Sequence, residues 1–121
     1  MSQYTLQKIG NVTVVEFVVP SLMDPIALEE SKEELFKLVD EQDQRRLLLD
    51  FEKVQYLSSQ AIGIILGLQK KLAALPRSTM VLCGVGAKLM ELIKITRLDK
   101  VLKIKPTQQE ALKGLTDGAV F

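Results

Sequence analysis

Two short stretches, RRLLLDF at 45–51 and TMVLCGV at 79–85, run through consecutive apolar residues without alternation. A strand with one wet face alternates apolar and polar side chains. A strand covered on both faces does not, and such strands belong to parallel sheets flanked by helices. Parallel neighbours cannot be joined by a tight turn, so the chain between them has to cross over, usually as a helix. The intervening SSQAIGIILGLQKKLAALP meets that need. Ser58 or Ser59 stands at the capping position, Leu66, Leu72 and Leu75 stay apolar while Gln69, Lys70 and Lys71 turn polar, and Pro76 ends the helix after about Leu75.

The remaining elements fall into place around this unit. YTLQKIGNVTVVEFVV carries β-branched residues on both sides of Gly10-Asn11, a turn pair, which predicts a hairpin with strands near 4–9 and 12–18 closed by Pro20. Asp24 before Pro25 reads as an N-cap followed by proline at the first helical position. Ile26, Leu28, Leu35, Leu38 and Val39 then form the inner face of a helix to about Asp40. Glu29, Glu30, Glu33 and Glu34 crowd its first half, where the helix dipole favours acids. AKLMELIKIT is an amphipathic helix and KVLKI a short strand. TQQEALKGL is a last helix capped by Thr107 and stopped by Gly114 or Gly118. The order ββαβαβαβα predicts a small α/β domain with a mixed, mostly parallel sheet and an initial β-hairpin.

With 121 residues and no long linker or internal repeat, the chain reads as a single domain, 1–121. Its 16 Lys and Arg balance 15 Asp and Glu, for a net charge of +1, so no field for nucleic acid is expected. The longest strongly apolar run, 61–68, is less than half of the roughly 20 residues that span a bilayer. Met1 leads into polar SQYTLQK rather than a signal-peptide core, and Cys83 has no second cysteine to pair with, so the chain reads as cytoplasmic with no membrane segment.

Chemistry is constrained as tightly. The chain has no histidine, so a serine nucleophile would lack its usual general base. Cys83, without histidine or a second cysteine, builds no zinc site and reads as a small buried residue. CGVGAKL has Leu89 where a dinucleotide loop needs its third glycine and lacks the ending of a phosphate loop, so it reads as a strand-to-helix turn. Ligand sites in open parallel sheets gather at the carboxyl ends of strands. That rule points to the loop after Asp50, where VQYLSSQAIGIILG places two adjacent serines. Asp24 and Asp50 could gather near them, or act as a cap and a loop anchor. Either serine satisfies orphan N–H groups at a helix start, and those same groups would favour a phosphate. Gly63 and Gly67 each cost about 1 kcal/mol of helix propensity relative to alanine. They fit either close packing of the helix on the sheet or a smooth docking surface.

LLLDFEKVQYLSSQAIGIILGLQKKL resembles the signature of the STAS domain of bacterial anti-sigma factor antagonists, in which a strand leads through Asp-Ser-Ser/Thr-Gly-Leu-Gly into a helix. Leu22, Met23 and Asp24 occupy the place of that family's Gly-x-Leu-Asp, and GAKLMELIKITRLDKVL resembles its later helix and short strand. Gly63 and Gly67 fall on the family's glycines, Ile62 on its leucine and Ser59 on its phosphorylated serine. The sequence departs at Ser58, Gln60 and Ala61, where the family has aspartate, a second serine or threonine, and glycine. The resemblance implies a switch without catalysis or cofactor. An anti-sigma factor serine kinase would modify Ser59, and a PP2C-type phosphatase would reverse the modification. Asp24, Leu57, Ser58, Gln60, Ala61, Ile62 and Gly63 would form the partner-binding surface. A structural STAS subunit of a stressosome-like or lipid-transport complex, never phosphorylated, is the alternative. The oligomeric state is left open, a weak homodimer included.

Overall fold

The structure, a computed structural model, describes residues 3–116. Strands β1 (Tyr4–Ile9) and β2 (Val12–Phe17) form the expected hairpin, and Gly10 takes the turn with a left-handed φ of 60°. Helix α1 (Pro25–Asp40) follows, then β4 (Arg46–Asp50), α2 (Ser59–Ala73), β6 (Thr79–Cys83), α3 (Ala87–Ile95), β7 (Lys103–Lys105) and α4 (Gln108–Thr116). Two strands of two residues each, β3 (Ser21–Leu22) and β5 (Tyr56–Leu57), precede α1 and α2. The main sheet has the order β1-β2-β4-β6-β7, antiparallel at the hairpin and parallel elsewhere.

The unalternating runs are explained by what lies on each side of the sheet. Leu47, Leu49, Met80 and Leu82 enter the larger core, with Leu28, Leu35 and Leu38 from α1, Ile65 and Leu68 from α2, and Leu89 and Ile93 from α3. Leu48, Val81 and Cys83 point the opposite way, into a smaller core closed by Ala111 and Leu115 of α4. Three helices therefore cover one face and a fourth covers the other, as strands without a polar face require.

Several expectations are corrected at the ends and edges of elements. Ile26, expected on the inner face of α1, is 74% exposed, and its place in the buried stripe is taken by Ser31, whose hydroxyl donates to Gln3 Oε1 at 2.8 Å. The four glutamates of α1 lie beyond its first turn, which holds no acid, so they sit past the reach of the N-terminal dipole. The strand expected over KVLKI, 100–104, forms instead at Lys103–Lys105, because a 3₁₀ turn at Leu98–Lys100 folds Leu98 into the core after Arg97 takes a left-handed φ of 61°. Thr107 caps α4 through Glu110 N at 3.2 Å as expected, but the helix runs through Gly114 to Thr116. Gly118 lies outside the described residues.

Candidate functional site

β3 and β5 form a second, two-stranded parallel sheet, with Ser21 opposite Tyr56 and Leu22 opposite Leu57. Pro20 O accepts from the amides of Gln55 and Tyr56 at 2.7 and 3.2 Å, and Leu22 O accepts from Ser58 N at 3.1 Å. This seam brings the chain before α1 alongside the chain before α2. It sets Asp24 and the serine pair together, although they are far apart in sequence. Asp50 does not join them. Its carboxylate is buried, accepting from Glu52 N at 2.9 Å and from Gln108 Nε2 at 3.0 Å, so it anchors the loop after β4 to α4. Gly84, with φ of 67°, belongs to this anchor, since a Cβ there would lie 2.9 Å from Asp50 Oδ1 and from Glu52 N.

The two serines divide the work at the start of α2. Ser58 is the N-cap, with an extended backbone, and its Oγ accepts from Ala61 N at 3.2 Å. Ser59 is the first helical residue, and its side chain is exposed and takes no part in the cap. Asp24 caps α1 in the same manner through Ile26 N at 3.0 Å, leaving its second carboxylate oxygen free of the cap. Gln60 Nε2 donates across the seam to Pro25 O at 3.1 Å.

Around these groups the remaining predicted residues separate by depth. Gly63 is exposed, and a Cβ built on it meets nothing within 4 Å. Leu57 and Ile62 are half-buried against the larger core, and Ala61 is buried within it. Gly67 does pack closely, but against a helix rather than the sheet: its Cβ would lie 2.7 Å from Phe36 Cζ of α1. Three apolar side chains that sequence reasoning did not place at the site also stand open here. Met23 is 52% exposed, Ile26 74% and Tyr56 48%, and the Lys88 ammonium sits 5.5 Å from the Tyr56 ring centre. Exposure of large apolar residues is informative when it clusters. Periodicity could not show it, because Met23 and Tyr56 lie outside the helices and Ile26 fits the inner stripe of α1.

Other chemistry is confined by burial. Cys83 is fully buried, and burial followed by the nearby Asp50 and Glu52 charges pushes its thiol up to about 12, which makes it a poor nucleophile. Tyr4, buried and donating to Glu34 Oε1 at 2.7 Å, is likewise pushed above the ordinary tyrosine range. Among the described residues no cluster of three His, Cys, Asp or Glu could hold a metal ion, and no helix is long and apolar enough to cross a membrane.

Solved structures share this fold at low sequence identity. An anti-sigma-factor antagonist (STAS) domain protein from Planctomyces limnophilus is 24% identical over 95% of this chain and 98% of its own, with a TM-score of 0.81. An anti-sigma factor antagonist from Mycobacterium paratuberculosis is 22% identical over 94% and 93%, with a TM-score of 0.81. The Bacillus cell fate determinant SpoIIAA in its phosphorylated form is 17% identical over 91% and 96%, with a TM-score of 0.72. The STAS domain family model matches residues 3–111, nearly the whole described chain, and the chain therefore belongs to the STAS domain family.

Proposed function

We propose that this protein is a cytoplasmic anti-sigma factor antagonist without catalytic activity of its own. Its unphosphorylated form binds a kinase-type anti-sigma factor and frees the sigma factor, and phosphorylation of Ser59 ends that binding. The observation that carries the reading is the division between the serines: Ser58 holds the helix cap, and Ser59 offers an exposed hydroxyl on the first turn. A kinase can take the second without disturbing the first. In this reading Asp24 and the exposed Gly63, one helical turn on from Ser59, form the contact face, with Gln60, Leu57, Ala61 and Ile62 supporting it.

Phosphorylation adds about −1.5 to −2 of charge. At the first turn of α2 this charge meets the favourable end of the helix dipole, typically by about 0.3 to 1 kcal/mol at exposed sites. Ser58 is uncharged and adds no like charge beside it. The helix therefore has no local reason to melt, and affinity falls because the partner would have to desolvate a phosphate where it had met a neutral hydroxyl.

The test is incubation with the serine-kinase anti-sigma factor of the same cell and ATP, followed by mass mapping and comparison of amide shifts before and after. The label is expected on Ser59 and lost in Ser59→Ala, with shift changes confined to 54–67 and the seam beside it. Label that survives Ser59→Ala removes the assignment, and shifts spread through β2 and β6 would mean a global rearrangement instead.

A further inference from the structure

We infer that Gln60 is a positioning residue: a side-chain strap that fixes the turn at 23–25 against α2, so that Asp24 and Ser59 are presented as one rigid face. The paired segments hold each other through Pro20 and Leu22, but the last backbone hydrogen bond of the seam is Ser58 N to Leu22 O. Beyond it, the Gln60 amide on Pro25 O is the one hydrogen bond, among the described residues, that joins the turn to α2. Apolar packing holds the chain on either side, through buried Leu22 and Leu28, but not the turn itself, where Met23 and Ile26 are largely exposed. Asp24 spends its bonding on α1, with its carboxylate on Ile26 N and its carbonyl on Leu28 N. Without the strap the turn, and with it the Asp24 cap on Ile26 N, loosens relative to Ser59.

The half-buried placement of Gln60 fits an inward-reaching role better than a direct partner contact. A turn ordered before docking spares the complex the entropy of ordering it afterwards. The hydrogen bond spans 35 positions of sequence, so it couples two segments that local structure alone would leave independent.

Gln60→Met is nearly isosteric and neutral but has no N–H to donate, whereas Gln60→Lys keeps a donor of sufficient reach. Native-state amide exchange at Ile26 is expected to be about 5-fold faster in Gln60→Met, the scale of one ordinary net hydrogen bond, and restored in Gln60→Lys. Exchange at Leu48 and Val81 in the central sheet should not change. In the kinase assay KM should rise about 5-fold with kcat unchanged, since the reacting hydroxyl is untouched while the face around it is less ordered. Unchanged exchange at Ile26 overturns the strap, and faster exchange with an unchanged KM overturns its part in presenting the face. Only this second arm rests on Ser59 being the kinase substrate. A wild-type chain that no kinase labels would overturn that reading, with the exchange result still deciding the strap.

Discussion

Alanine at position 63 separates two reasons for a helix to carry a glycine. Gly63 lies inside α2, is exposed, and has no atom within 4 Å of the Cβ it lacks, so adding a methyl costs nothing sterically. Glycine is about 0.8–1 kcal/mol worse than alanine in an exposed helix interior, and Gly63→Ala should recover most of that. With an unfolding entropy of about 2.1 cal/mol/K per residue, a chain of 121 residues loses roughly 0.25 kcal/mol of stability per degree near its midpoint. Tm should therefore rise by about 3–4 °C, with a urea midpoint shifted upward at unchanged m. Gly67→Ala is the internal control. There the new methyl would lie 2.7 Å from Phe36 Cζ, in a half-buried ring that also has the Lys71 and Lys32 ammoniums 4.9 and 5.8 Å from its centre. Overpacking of about 1–3 kcal/mol cancels or exceeds the propensity gain, so this variant should be no more stable than the wild type. Under the proposed function, Gly63→Ala should weaken binding of the anti-sigma factor even as it stabilises the fold, the usual exchange at a functional surface. A Gly63→Ala protein no more stable than Gly67→Ala would refute the packing argument. One that is more stable and binds undiminished would remove Gly63 from the contact face.

Ser58→Ala removes the hydroxyl that accepts from Ala61 N and should cost about 1 kcal/mol in urea unfolding, within the roughly 0.5–2 usual for a lost cap, while under the proposed function phosphate incorporation at Ser59 should persist. Abolished labelling in a folded Ser58→Ala would transfer the acceptor role to Ser58. For Cys83, a thiol raised to about 12 in the fold meets an unfolded value near 8.5, so the unfolded chain releases the proton first. Its contribution is fully present below about pH 8.5 and is lost as pH rises toward about 12; urea midpoints should fall across that window, with a shallower fall in Cys83→Ala. Identical slopes in the two proteins would show that the thiol titrates in the fold as it does in the unfolded chain.

The strands and long helices were legible because burial imposes a pattern on many residues at once. Leu47, Leu48 and Leu49 face alternate cores, and a run of three leucines reports both. The misplaced residues lie where a few local contacts override the pattern. Ile26 fits the inner stripe of α1 by spacing, yet it sits at the first turn, where the Asp24 cap and the seam set the direction of entry. β3 and β5 have two residues each, too few for any period, and their pairing depends on Pro20 and Leu22 meeting residues more than 30 positions away. For Gly67 the sequence leaves packing and docking open, and where it packs the neighbour is Phe36 of α1 rather than the sheet, because sequence shows that a side chain is missing and not what fills the space. For the site, the motif located Asp24 and the serines, while the open side chains of Met23, Ile26 and Tyr56 and the reach of Gln60 depend on two helix starts being brought side by side.

That juxtaposition also accounts for a pair of serines where one would cap a helix. The N-cap residue has an extended backbone, φ −87° and ψ 168°, which turns its Oγ back toward the first-turn amides. The next residue has entered the helix, and its side chain leaves the axis. A hydroxyl at Ser58 is therefore committed to Ala61 N, and a phosphate placed on it would have to replace or rebuild that bond. A hydroxyl at Ser59 is spared from the cap, so a phosphate placed there would leave the Ser58 bond to Ala61 N in place. Under the proposed function this is what a reversible switch needs. The two forms differ in charge at one exposed point beside the Asp24 turn, and the partner's affinity can change without the cost of refolding the domain at each cycle.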